Sequence, residues 1–394
     1  MTQARQRVLM VHNAYQQRGG EDSVVESETA LLRAHGHEVE LYLRHNDDVD
    51  GISRASLAVQ TVWSRRTEDD ISALITRFRP DIVHVHNTLP LVSPSVFWTA
   101  HRMQCAVVQT LHNFRLMCPQ AMFLREGKVC EDCLGHVPWR GVMRGCYRQS
   151  VVQTAALSGS IVWHRMLGTY DKTVTRFIAL SEFSRRKFIE GGLPADRICV
   201  KPNFVDDVGA PDETAPRAGG LFVGRLSHEK GVEVLLQALK QPAASGARVE
   251  VIGSGDFERA MRDQLGQAFL GYLPVGDILE RLRGAAYLLL PSLCYENFPR
   301  TLAEAYCSGV PVIASRLGAM AELVQDGQTG LLFTPGDAAD LAAKIAWAEA
   351  HPQAMRDMGR RAREIFVARY SPEPNHRRLT EIYDQALAEL RTRS

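Results

Sequence analysis

The sequence carries almost no net charge. Its 46 Lys and Arg stand against 45 Asp and Glu, a formal balance of +1. So small a balance gives no chain-wide attraction to a polyanion, and no nucleic-acid-binding motif is recognised, so no nucleic-acid partner is expected. No apolar run approaches the roughly 18 residues of a membrane helix. The N-terminus, MTQARQRVLMVHN, has only a short apolar run and no cleavage-like site, so no signal peptide is expected and the chain reads as cytoplasmic. The G-x-G-x-x-G fingerprint is missing, which argues against a dinucleotide enzyme. Low-complexity tracts and short repeats are also missing. Eight cysteines without a secretory signal imply reduced thiols or metal ligands, not disulfides. The length, 394 residues, fits two or three domains of ordinary soluble composition.

Against those absences stands Pro291–Thr334, PSLCYENFPRTLAEAYCSGVPVIASRLGAMAELVQDGQTGLLFT. The apolar run Ala285–Leu290 stops at Pro291. The turn CYENFP follows, and TLAEAYCSG holds good helix formers up to Gly309. VPVIAS is a short continuous apolar run, the pattern of a parallel strand covered on both faces. Glu296 therefore falls on the loop after one strand, and Glu304 about one turn into the next helix. In an open α/β sheet this is the crevice outside the carboxyl ends of the strands, where ligands bind. Two carboxylates there suit the hydroxyl donors of a sugar or ribose. Taken singly, each glutamate fits an ordinary exposed position about as well. Leu302, Ala303, Ala305 and Tyr306 make an unusually apolar neighbourhood for Glu304.

Upstream, Gly220–Gly224 reads as a strand. Arg225 and Lys230 follow in GRLSHEKGVEVLLQAL, with a helix starting near Gly231. Arg offers a planar fork, Lys a point charge and a helix start its N–H groups, which together suit a pyrophosphate. Val249–Gly253 is another strand, with Ser254-Gly255-Asp256 as its turn. In the first half, Arg7–His12, Val39–Leu43, Ile82–His86, Ala106–His112 and Arg176–Leu180 read as strands. Gly19-Gly20 lies in the turn after the first of these. Adjacent glycines there either let the backbone approach a phosphate or supply a plain flexible turn. His84, His86 and His112 lie at or near strand ends, where a histidine is more often structural, and their spacing matches no zinc pattern.

ENFPRTLAEAYCSGVPVIAS followed by ELVQDGQTGLLF resembles the signature of retaining nucleotide-sugar glycosyltransferases with the GT-B fold (group 1, family 4 type), in particular a bacterial polysaccharide subset with a cysteine-containing insertion. The resemblance implies an α/β architecture of two Rossmann-like domains facing a cleft. It implies that Glu304 binds the nucleotide ribose and that Glu296, with Asn297 and Phe298, lies by the donor sugar. Gly19 and Gly20 would face the donor diphosphate, His112 would face donor and acceptor, and the nucleobase would lie near Gly253 and Gly271-Tyr272. Arg225 and Lys230 would offset charge on the departing diphosphate, so neither a catalytic metal nor an organic cofactor is expected. The turn departs from the common EGFG pattern. Here it is Glu296-Asn297-Phe298-Pro299, and Pro299 has no N–H to donate.

The implied reaction moves a hexose from a UDP- or GDP-linked sugar to a hydroxyl acceptor, with retention, in cell-surface polysaccharide or glycolipid synthesis. A nucleotide-sugar 2-epimerase on the same fold, or a catalytically dead membrane-docking scaffold, are the rivals. The expected division is an N-terminal domain over residues 1–205 with an insertion at 115–148, a Pro/Gly-rich linker at 206–219, a nucleotide-sugar domain over 220–372, and a last helix (373–394) crossing back. Within the insertion stand Cys118, Cys130, Cys133 and Cys146. A C-x-x-C pair with two more thiols suits one tetrahedral zinc, and four plain thiols or an iron–sulfur cluster are the alternatives. From Arg140 to Lys187 nine Lys or Arg face two acids, around a helical pattern at Val151–Tyr170 that contains Trp163. Such a face suits an anionic membrane carrying a lipid-linked acceptor, or a solvated basic surface, about equally.

Overall fold

The computed structural model describes residues 5–212 and 214–393. Residues 1–4, Glu213 in the expected linker and Ser394 lie outside the described residues. The chain divides into two compact units. One comprises residues up to Met122 with Glu131–Lys201 and Asn375–Ser394, and the other comprises Phe123–Cys130 and Pro202–Pro374.

The first unit is built on β1 (Arg7–Ala14), β2 (Glu38–His45), β3 (Ile82–Val85), β4 (Ala106–Leu111), β7 (Arg176–Ala179) and β8 (Ile198–Val200). They form one parallel sheet in the order β2-β1-β3-β4-β7-β8. Between β4 and β7 lies the cysteine segment, whose hairpin of β5 (Leu124–Arg125) and β6 (Lys128–Val129) is a separate antiparallel pair. The second unit carries β9 (Gly220–Val223), β10 (Val249–Ile252), β11 (Phe269–Gly271), β12 (Tyr287–Leu290), β13 (Val312–Ser315) and β14 (Gly330–Phe333), again all parallel, in the order β11-β10-β9-β12-β13-β14. Short runs such as IVHV, YLLL and VIAS are buried along their whole length. Parallel strands need crossover helices, which cover both faces of the sheet, and this is why the strands are continuous apolar runs instead of alternating ones.

The structure differs from the sequence reading in two places. The long helix of the first unit ends at Leu167, because Gly168 takes a left-handed conformation (φ 66°) that closes it. A separate short helix, Thr169–Thr173, follows. Residues 123–130 of the cysteine segment group with the second unit, not the first.

The last helix, Pro372–Arg393, supplies Leu379, Ile382, Tyr383 and Ala386 to the core of the first unit, beside Val8, Met10, Val25, Ile82 and Val108. The spacing is that of one helical face. Leu379 is fully buried, so Leu379→Ala should destabilise the protein by about 2–5 kcal/mol in denaturant unfolding. A loss well under 1 kcal/mol would show that this helix is not part of the core.

Candidate functional site

In the second unit β9 is central, with β10 on one side and β12 on the other. The chain winds away from β9 in both directions, so the loops after β9 and β12 open a crevice at the carboxyl edge of the sheet. Backbone contacts draw the loop after β9 against the loops after β10 and β12. The Leu226 N–H donates to the Ser254 carbonyl at 2.8 Å, and the Leu293 N–H to the Glu229 carbonyl at 2.9 Å. Two glycines make the approach feasible. A Cβ on Gly231 (φ +70°) would lie 1.8 Å from the Pro291 oxygen, and one on Gly253 (φ +150°) would lie 1.9 Å from the Gly224 oxygen. Gly253 is thus a packing requirement, and its N–H is taken by the Gly271 carbonyl at 2.8 Å.

Across these loops Lys230 Nζ meets Glu296 Oε1 at 2.6 Å, and the Ser292 hydroxyl donates to the same oxygen at 2.8 Å. Burial alone would push the Glu296 carboxyl up. The Lys230 ammonium outweighs it and holds the group below the usual carboxylate range. Burial likewise works against the charge on Lys230, and Glu296 outweighs it, so both partners are ionised at neutral pH. Arg225 is mostly exposed and 3.4 Å from Glu229. Glu304 sits on the Arg300–Cys307 helix, 3.9 Å from the Arg300 guanidinium. Burial raises its carboxyl, with Arg300 only partly opposing. Asn297 and Phe298 are buried. The Phe298 ring lies edge-on to Tyr370 at 4.9 Å and its carbonyl accepts from Asn203, so that side chain is engaged in packing.

In the first unit the same logic places the loops after β1 and β3 at the crossover of winding, with His112 just beyond β4. Gly19 caps the Gly20–Ala34 helix. Its N–H donates to Asp22 Oδ2 at 2.7 Å, while the space around Gly20 is open, so Gly20 is the one of the pair with room for a ligand. His86 Nδ1 and His112 Nε2 are 2.8 Å apart. His86 Nε2 faces Met10 Sδ at 3.1 Å and Glu28 Oε2 at 3.6 Å, both acceptors, so Nε2 carries the proton. Burial holds both rings neutral at physiological pH. His86 Nδ1 is then the acceptor and His112 donates through Nε2, which leaves Nδ1 as the lone-pair nitrogen of His112.

Beneath these histidines lies a buried charge that sequence reasoning missed. Lys201 Nζ is 2.5 Å from Glu28 Oε1 and 3.0 Å from Asn375 Oδ1, and Lys201 and Glu28 are both fully buried. A lysine inside the apolar segment ICVKPNFV was the available signal. Glu28, His84 and His86 each bring a potential ligand atom within 4.8 Å of the others. Lys201 already neutralises Glu28. Both His84 nitrogens are engaged, by the Tyr383 hydroxyl and the Thr110 hydroxyl at 2.8 Å each, and burial lowers its pKa to about 4. Glu28 Oε1 and both His84 nitrogens are thus satisfied without an ion, while Glu28 Oε2 is buried with no hydrogen-bond partner.

None of the four insertion cysteines is in a disulfide. One of their sulfurs lies beside Gly141, and the backbone of two others passes near it. Cys133 Sγ lies 3.6 Å from where a Cβ on that glycine would stand, Pro119 next to Cys118 lies 3.3 Å from the same point, and the Cys146 N–H donates to the Gly141 carbonyl at 3.1 Å. Cys130 is three residues from Cys133 in sequence.

A family model described as glycosyl transferases group 1 matches residues 218–365, and one described as glycosyltransferase family 4 matches residues 18–208. The chain is 28% identical over 48% of its length to a putative colanic acid biosynthesis glycosyltransferase of Salmonella typhimurium, covering 52% of that protein. It is 32% identical over 52% of its length to a phosphatidyl-myo-inositol mannosyltransferase of Mycolicibacterium smegmatis, covering 55% of that one. These matches span about half the length of each relative. Sucrose-phosphate synthase from Thermosynechococcus elongatus superposes with a TM-score of 0.71 at 18% identity, over 98% of this chain and 100% of that one, a likeness of fold.

The Lys230–Glu296 pair generates a pH dependence. A carboxyl held below its ordinary value adds stability that is present above about pH 4.5 and is lost as pH falls through the folded value. The melting temperature of wild type relative to Glu296→Gln should therefore narrow as pH drops below about 4.5. A gap that is constant with pH would show that the pair does not titrate with folding.

Proposed function

The chain belongs to the group 1 glycosyl transferases, and from that footing we propose that it moves a hexose from a nucleoside-diphosphate sugar to a hydroxyl acceptor, with retention, in cell-surface polysaccharide or glycolipid synthesis. The observation that carries this reading is the meeting of Lys230 and Glu296 across the loops after β9 and β12, with Arg225 on the same loop as Lys230. It supplies two cations for a diphosphate and a carboxylate for sugar hydroxyls.

In the reaction, the bond from the anomeric carbon to the diphosphate oxygen breaks and its electron pair leaves with the diphosphate. The acceptor oxygen bonds to that carbon on the same face and passes its proton to the departing diphosphate oxygen. Arg225 and Lys230 offset the charge that grows on the leaving oxygen. Glu296 holds Lys230 in place and accepts from donor hydroxyls. Glu304, whose burial favours a carboxyl needing a partner, takes the ribose hydroxyls. His112, held by His86, presents its Nδ1 as an acceptor.

Arg225 is exposed and bound only loosely to Glu229, so its removal should leave the fold intact. Turnover in Arg225→Ala, assayed with the nucleotide sugar that raises the melting temperature of the wild type, should fall about 10²-fold or more. Near-normal turnover would refute the leaving-group role. No melting shift with any UDP- or GDP-linked sugar would refute the donor assignment itself.

We also propose that Cys118, Cys130, Cys133 and Cys146 hold one structural zinc. The C-x-x-C spacing of Cys130 and Cys133, the Cys133 sulfur and the Cys146 backbone beside Gly141, and the scarcity of regular structure around them support this. Metal analysis of the purified protein should find about one zinc per chain, lost in Cys130→Ser/Cys133→Ser together with thermal stability. A folded, metal-free wild type would overturn it.

A further inference from the structure

The Val151–Leu167 helix of the first unit has two faces of opposite use. Inward, Leu157, Ser160 and Ile161 line an open pocket with His112, Asn113 and Arg115, about 600 Å³ counting the space open to solvent. Outward runs a stripe at helical spacing that holds only apolar side chains and glycine: Val152, Ala155, Gly159, Trp163 and Met166. A surface helix of a soluble domain ordinarily turns such a stripe to the core. Here Val152 is 80%, Met166 76% and Trp163 48% exposed.

The neighbouring elements extend the patch. The Trp139–Met143 helix, which packs against the same helix, exposes Trp139 and Met143, and the Arg54–Val62 helix, which also packs against it, exposes Val59. From Cys133 to Tyr170 the sequence has no Asp or Glu, and it carries Arg140, Arg144, Arg148 and Arg165. Arg165 is spent on the carbonyls of His136 and Leu116, and Arg140 and Arg144 share the single carboxylate of Asp132. The patch is therefore apolar, aromatic and cationic, with Arg140 and Arg144 sharing one acid, Asp132.

We propose that this face docks on an anionic phospholipid surface. The stripe enters the boundary between headgroups and acyl chains, Trp139 and Trp163 seat there with their polar N–H edges toward the headgroups, and the arginines meet lipid phosphates. Charge selects this occupant: a second copy of the chain would bring the same arginines against themselves. Among the described residues no helix is long and apolar enough to cross a membrane, so the contact is one of lying on the surface. The pocket on the inner side of the same helix then takes a hydroxyl acceptor carried on a lipid. That extension, unlike the docking, rests on the proposed transfer reaction.

The test is sedimentation of the full chain with vesicles of phosphatidylcholine alone, or mixed with an equal part of phosphatidylglycerol, at low and high salt. The wild type should bind the anionic vesicles, with a blue shift of tryptophan emission, and should be released by salt. Val152→Asp/Met166→Asp changes two exposed side chains and should lower the partition coefficient about tenfold or more, while keeping the wild-type melting temperature and its shift with the nucleotide sugar. Equal partition of wild type and variant, or no binding to anionic vesicles, overturns the docking. A wild-type dimer in solution that the variant dissolves, without vesicle binding, assigns the face to a second copy and also overturns it. Vesicle binding without any nucleotide-sugar shift keeps the docking and overturns the transfer reaction instead.

Discussion

The contact on which the second unit turns is the ion pair of Lys230 and Glu296. Neither charge is well solvated, and a charge taken from water without a partner costs several kcal/mol. Each therefore requires the other, and together they bind the loop after β9 to the loop after β12. The backbone must come close for the pair to form, which is why Gly231 lies where any side chain would strike the Pro291 carbonyl. Ser292 shares the same carboxylate oxygen and fixes its direction. A pair of unlike charges at the carboxyl edge of a parallel sheet suits the ligand proposed above, which carries both phosphate and hydroxyl groups.

The first unit uses the same physics for a different end. Lys201 and Glu28 are buried without solvent, and Asn375 of the last helix completes the set. Around them His84 stays neutral because burial outweighs the nearby carboxylate. The consequence reaches outward in steps. Glu28 and Met10 settle the tautomer of His86, and His86 settles that of His112. The acceptor nitrogen of a half-buried histidine is thus decided by a charge pair in the core. The last helix takes part twice, through Asn375 on the lysine and through the Tyr383 hydroxyl on His84, so the residues after Asn375 belong to the first unit chemically as well as by packing.

Much of the architecture was legible in the sequence. Continuous apolar runs such as VLMVH, IVHVH and VPVIAS announced parallel strands covered on both faces, and the alternation with helical segments announced crossovers. The positions of Glu296, Glu304, Arg225 and Lys230 relative to strand ends followed from the same reading. Helix ends were less legible. Gly168 closes the Val151–Leu167 helix, yet a glycine within an apolar run is tolerated often enough that the pattern read through it to Tyr170. The solvent-facing apolar stripe was hidden for a related reason. Periodicity shows that a helix has an apolar face, and the tertiary structure alone shows whether that face is covered.

The sequence by itself determined the class of structure, because strand and helix patterns are local and depend on the period of apolar residues. It determined where glycine was needed at the turns, since a positive φ or a close approach excludes other residues. Only the tertiary structure decided which charges meet. Lys230 and Glu296 are 66 residues apart, and Glu28 and Lys201 are 173 apart. The first pair exists because strand order makes β9 and β12 neighbours, and the second because the Gly20–Ala34 helix packs where the chain leaves β8. Strand order is set by how the whole chain packs, and the periodicity of an individual segment carries no record of it.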